Sequence, residues 1–200
     1  MTAHKNTRNN PSIDYNAIHQ NLISRAEFSE TDLACFDSVI RCKDIPRKKL
    51  LLEEGQPCKY FNYVHSGALR AYTIDKQGKE ATIMFAMPDW WITDMYCFLN
   101  GKPAMLYIEA IEDSRIFQIS KAELDDLFMR IPKFERFFRI LMQNAYTREQ
   151  LRVIENLTLP ALTRYEAFLA KYPNIAKRVT QKQLASYLGI TPEFLSAIRK

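Results

Sequence analysis

Residues 181–198 hold two short apolar-faced segments on either side of a glycine, and few backbone paths satisfy both. Leu184, Ala185 and Leu188 fall at i, i+1 and i+4, one face of a first helix. Gly189 follows, where the residue past a helix end needs a positive φ that glycine takes freely. Ile190 fills the corner. Thr191 suits the cap of a second helix, and Pro192 its first position, where a missing N–H costs nothing. Leu195 and Ile198 form the buried face of that second helix. Ala185 is small where the helices would cross, so a steep approach is allowed. The spacing predicts a helix-turn-helix; an ordinary helical hairpin is the alternative.

Charge favours the first reading. Residues 133–200 carry 12 Lys and Arg against 5 Asp and Glu, whereas residues 1–132 carry 16 against 18. A helix-turn-helix lays its second helix in the DNA major groove, and phosphate contact needs that basic surplus. The expected contacts are Gln181, Lys182, Thr191, Pro192, Glu193, Ser196, Ala197, Arg199 and Lys200.

Other classes find little support. No apolar run approaches the ~18 residues of a membrane span. Met1–Pro11 is polar and Asn-rich, which predicts a tail and not a signal peptide, and hence a cytoplasmic protein. Cys35, Cys42, Cys58 and Cys97 form no C-x-x-C pair, and His4, His19 and His65 are scattered. Neither set has metal-ligand spacing, so no metal, cofactor or catalytic constellation is expected.

Along the chain, residues 1–20 read as a flexible tail. Ser29–Val39 has a cap and a helical stripe. From Asp44 to Ser120 short strands alternate with turns, among them Ser66-Gly67 and Asp75-Lys76-Gln77-Gly78-Lys79, the texture of a barrel or sandwich. Lys121–Phe128 is a short helix. A helix without Gly or Pro then runs over residues 133–158. Its Phe134, Phe137, Phe138, Leu141, Ala145, Leu151 and Ile154 fall mostly at spacings of three, four or seven. Such a stripe predicts pairing with a second copy; packing on its own barrel is the alternative. Pro160 marks a boundary, and an amphipathic helix, Ala161–Lys171, opens the last unit. The fold class is α+β, with a β-roll over 21–132, the long helix over 133–158 and the helix-turn-helix unit over 159–200.

This order resembles the Crp/Fnr family of bacterial transcription regulators. The most specific part is Arg178 to Glu193 together with Leu195, Ser196, Ile198 and Arg199, of a branch that carries Tyr187-Leu188-Gly189-Ile190-Thr191-Pro192-Glu193. The turns at Glu54-Gly55, Ser66-Gly67 and Asp89 also look like the family's. The resemblance implies a double-stranded β-helix of cyclic-nucleotide-binding type, a homodimer, and double-stranded DNA as partner. RNA polymerase and a small-molecule effector are further candidate partners.

Departures from the family are informative. Its nucleotide binders hold the cyclic phosphate in a cassette that starts Gly-Glu and ends in Arg, because a buried anion needs N–H groups and a guanidinium. Here the pair falls at Thr93-Asp94 and the arginine at Ala104, followed by Met105. Cyclic AMP binding in the family's manner is therefore not expected. The expected cavity residues are Trp90, Trp91, Asp94, Met95, Tyr96, Phe98, Ala104 and Met105. They suit an apolar or flat ligand, unless they simply fill the roll as core. Glu193 matches the family's base-contacting Glu, which accepts from cytosine N4. Pro192 and Ala197 stand where many relatives have Arg. The sequence ends at Lys200, so the β-hairpin wing of many relatives is expected to be missing. A signalling module that has lost specific DNA binding is the alternative function.

Overall fold

The computed structural model describes residues 13–199. The chain opens with α1 (Asn16–Ile23) and α2 (Glu30–Val39), the latter closed by a capping box between Ser29 and Asp32. Strands β1 (Arg41–Ile45), β2 (Leu50–Leu52), β3 (Tyr60–Ser66), β4 (Leu69–Ile74), β5 (Glu80–Ala86) and β6 (Trp91–Ile92) follow. Helix α3 (Met95–Asn100) interrupts them before β7 (Tyr107–Ala110) and β8 (Ser114–Ser120). The rest is helical: α4 (Lys121–Arg130), α5 (Lys133–Thr158), α6 (Ala161–Lys171), α7 (Pro173–Ala176), α8 (Gln181–Leu188) and α9 (Pro192–Ile198).

The strands form two four-stranded sheets of order β1-β8-β3-β6 and β2-β7-β4-β5, antiparallel at every pairing, which is the β-roll. Alternation along the strands decides which side chains meet. On β3 and β8, Val64 and Ile116 turn in, to pack with Leu69, Ala71 and Ile108 of the facing sheet. Their neighbours Phe61, Tyr63, Phe117 and Ile119 turn out, under α1, α2, α4 and the start of α5. On β4, Leu69 and Ala71 face the roll interior, which leaves Arg70 on the other face. Gly67 has φ +83°, and a Cβ there would run into Ser114 Oγ and the Asp113 carbonyl, so the β3–β4 turn requires glycine.

Two expectations are corrected here. The tail does not reach residue 20: α1 starts at Asn16 because Ile18 and Leu22, four apart, are fully buried against the first sheet. Residues 1–12, including His4, lie outside the described residues. The proposed pairing stripe is also too long. Phe134, Phe137 and Phe138 belong to the protomer's own core, in ring contact with Phe28, Phe36, Phe61, Trp91 and Phe128, so they have no free face.

Apolar exposure begins further along α5. Tyr146 is 69% exposed and Leu157 81%, with Leu151, Val153 and Ile154 also exposed. Tyr146, Val153 and Leu157 follow spacings of seven and four, one stripe of a helix.

Candidate nucleic-acid interface and ligand cavity

The helix-turn-helix forms as its local chemistry requires. Thr180 Oγ1 accepts the Gln183 N–H at 3.2 Å, and Gln183 Oε1 accepts the Thr180 N–H at 2.9 Å, a capping box that starts α8. Gly189 ends it at φ +69°, in the left-handed region. Thr191 Oγ1 then accepts the Phe194 N–H at 3.1 Å, with Pro192 in the first turn of α9. Leu184, Ala185, Leu188 and Leu195 are buried together, so both helices are fixed by one small core.

Burial of Leu195 sets which side chains point away. Glu193 and Ala197 flank it by two residues on the far side of the helix, and both are exposed. Thr191, Ser196 and Arg199 are exposed as well, Pro192 is half-buried, and Gln181 and Lys182 are exposed at the start of α8. Lys200 lies outside the described residues. One residue of this face escaped the sequence reading. Phe194 is 50% exposed beside Glu193. The signal was present, since its position lies about 100° from that of Leu195, but an aromatic residue reads as core by default.

The motif is bolted to the roll. Strand β5 is the edge of its sheet, and α8 covers it. The Thr82 N–H donates to Ser186 Oγ at 2.8 Å, and Ser186 Oγ donates to the Glu80 carbonyl at 2.8 Å. Behind Thr82 lies Arg70, 2% exposed. Its guanidinium donates to Thr82 Oγ1 at 2.9 Å, pairs with Glu80 at 2.8 Å and Glu109 at 3.1 Å, and stacks 4.3 Å from the Tyr72 ring centre. A line of rings, Phe85–Tyr187–Phe168–Tyr172–Trp90, continues the joint at centroid distances of 5.3–5.7 Å. Burial pushes the Tyr187 phenol up to about 12.

Trp90 also walls a cavity of about 550 Å³ between the roll, α3 and α5. Trp91, Met95, Tyr96, Leu141 and Ala145 line it too, together with one face of Asp94. Three expected lining residues do not. Phe98 turns into the core against Phe61, because α3 presents Met95 and not Phe98 to the cavity. Ala104 is buried with its N–H tied to the Gln56 carbonyl, and Met105 is 57% exposed on the outside. Asp94 itself is engaged. Its carboxylate accepts the N–H groups of Met105 (2.7 Å), Leu106 (3.1 Å) and Cys97 (3.3 Å). Lys102 is exposed and brings no charge inward.

The remaining polar candidates are structural. His19 Nε2 lies 2.8 Å from Asp37, and His65 packs on Phe117. Burial raises the Cys58 and Cys97 thiols above the usual range. Among the described residues no group of His, Cys, Asp and Glu could hold a metal ion, and no helix is long and apolar enough to cross a membrane.

Comparison with known proteins agrees with this fold. The cyclic nucleotide-binding domain family matches residues 42–131. An anaerobic regulatory protein of Pasteurella multocida is 26% identical over 187 residues, 85% of this chain and 66% of that protein. The regulatory protein HlyX of Actinobacillus pleuropneumoniae is 26% identical over 182 residues, 85% of this chain and 75% of HlyX. These relatives are regulators and not enzymes. Among solved structures, FixK2 from Bradyrhizobium japonicum superposes with a TM-score of 0.71 at 18% identity, covering 80% of this chain and 83% of FixK2. A Crp/Fnr-family regulator from Eubacterium rectale gives 0.68 at 15% identity, covering 86% and 82%. At such identities the two structures show the fold.

Proposed function

We propose, for a chain that carries a cyclic nucleotide-binding domain and is homologous to the Crp/Fnr transcription regulators, that it works as a DNA-binding homodimer in the cytoplasm. The observation that carries this is the outward face of α9. A capped helix, held by Leu195, presents Glu193, Ser196 and Ala197 with no side-chain hydrogen bond or ion pair among the described residues. Glu193 accepts from cytosine N4 in the major groove, and Lys182, Arg199 and Lys200 supply phosphate contact. With Pro192 and Ala197 where relatives have Arg, guanine is not read at those two places, so the operator differs from that of the cyclic-AMP receptor protein.

Twin helices α5 pair through Tyr146, Leu151, Val153, Ile154 and Leu157. The pair sets two α9 helices on successive major grooves of a palindrome. The cavity between the roll and α5 is the effector site, because a ligand there touches the pairing helix and, through Trp90, the ring of Tyr172 at the end of α6. RNA polymerase is the partner that a bound dimer would recruit or block.

Binding to a randomised double-stranded DNA pool, with the retained fraction sequenced, tests the reading. A palindrome recovered by the wild type and lost by the Glu193→Ala, Arg199→Ala variant supports it. Salt-sensitive retention without a motif reduces the function to phosphate contact. No retention at low salt would instead favour a signalling module without DNA binding.

A further inference from the structure

Cyclic-phosphate recognition requires backbone N–H groups and a guanidinium at the end of the cavity near α3. Both are missing as free groups. The Met105, Leu106 and Cys97 N–H groups already donate to the Asp94 carboxylate, so the chain supplies its own anion where a phosphate would sit. Ala104 replaces the guanidinium with a buried methyl group.

The two cations on the cavity wall already hold protein partners. Arg25 donates to the Asn21 carbonyl and Ser24 Oγ at 2.9 Å and lies over the Phe137 ring. Arg148 lies 5.0 Å from the Trp90 ring centre and 3.5 Å from Glu149. Against them stand three carboxylates on the same wall, Asp89, Asp94 and Glu149. An anion entering here meets three carboxylates against two guanidiniums that already hold protein partners, and desolvating it without a dedicated partner is costly. What the cavity does offer is ring and thioether surface from Trp90, Trp91, Tyr96, Met84 and Met95.

We propose that the effector of this cavity is an uncharged, flat aromatic molecule seated against Trp90, and not a nucleotide or other phosphate. The inference rests on the cavity being the effector site of the proposed regulator. A ring of this kind gains from burial against aromatic and thioether surface and needs no charge partner.

The test is a fluorescence titration of the full chain with N-phenyl-1-naphthylamine, an uncharged flat probe, under tryptophan excitation. Saturable binding with energy transfer is expected. Trp90→Leu, which keeps an apolar wall without the ring, and Ala145→Trp, which fills the cavity from α5, should each weaken it about tenfold or more. Cyclic AMP and inorganic phosphate at millimolar concentration should not displace the probe. Displacement by either anion overturns the proposal. Equal binding by the wild type and both variants overturns it too, because the probe then sits elsewhere. So does absence of binding. The DNA-pool experiment on the same preparation separates the two readings. DNA retention without probe binding removes the ligand class alone, and probe binding without DNA retention removes the regulator alone.

Discussion

The hydroxyl of Ser186, on the first helix of the helix-turn-helix, accepts the N–H of Thr82, on the edge strand of the roll, at 2.8 Å. An edge N–H would otherwise face solvent or another chain. The same hydroxyl donates to the Glu80 carbonyl, so one side chain serves two backbone groups of β5. Ser186→Ala removes both bonds and costs about 1–2 kcal/mol at the joint. Amide hydrogen exchange should accelerate at residues 80–86 and leave residues 60–66 unchanged. Uniform acceleration across both strands would mean that Ser186 serves general stability and not the joint.

Asp94 collects three N–H donors from two segments, the start of α3 and the chain entering β7. Its replacement by Ala leaves those donors without their acceptor and uncaps α3. The expected loss is about 2 kcal/mol, read as a lower midpoint in urea. A neutral result would show that water replaces the carboxylate, and that the seat near α3 is wetter than its geometry implies.

The roll, the long helix and the helix-turn-helix were legible because each leaves a periodic or stereochemical mark. Gly189 with Thr191 and Pro192 locates the turn almost to the residue. What stayed hidden depends on three-dimensional partners. Phe134, Phe137 and Phe138 have the same spacing as a pairing stripe, and only the arrival of Phe36 and Trp91 over them makes them core. Arg70 reads as a surface residue of a strand until Glu80, Glu109 and α8 enclose it. Helix α3 is only six residues long and starts at the Asp94 cap, too brief for any periodicity. Phe98 and Met105 looked alike in sequence, yet one faces the core and the other the outside.

The two ends of α5 are predicted to respond differently to substitution. Phe137→Ala opens a hole among aromatic rings and should cost about 3–5 kcal/mol in the isolated fold. Leu157→Glu touches no core and should leave the unfolding midpoint of dilute protein within about 0.5 kcal/mol. It should instead halve the sedimentation mass at concentrations where the wild type is a dimer. A Leu157→Glu protein that remains dimeric would remove the exposed stripe from the proposed pairing.

Tyr187 links joint stability to alkaline pH. Desolvation holds its phenol near 12, above the ordinary 10.0. The folded state therefore keeps the proton longer than the unfolded one. Its stabilising contribution is complete below about pH 10 and disappears as pH rises through about 12. Tyr15, Tyr63, Tyr72 and Tyr107 are also raised, so an ultraviolet titration should show one fewer late phenol in Tyr187→Phe than in the wild type. The variant should also lose less stability than the wild type between those two pH values. Superimposable titrations would place Tyr187 in water.

Phe194 is the residue of the reading face with no structural duty. It is half exposed, next to Glu193, and the core of the motif closes without it. With α9 in the major groove as proposed, its aromatic edge would meet a thymine methyl group. Phe194→Ala should therefore relax the preference at one base pair of each half-site, by about 1 kcal/mol, while the other positions and the salt slope stay as they are. The thermal midpoint should not fall, since little buried surface is lost. Sequencing of retained pools from wild type and variant gives the answer directly. A motif unchanged at every position would mean that Phe194 lies outside the groove and that Glu193 reads alone.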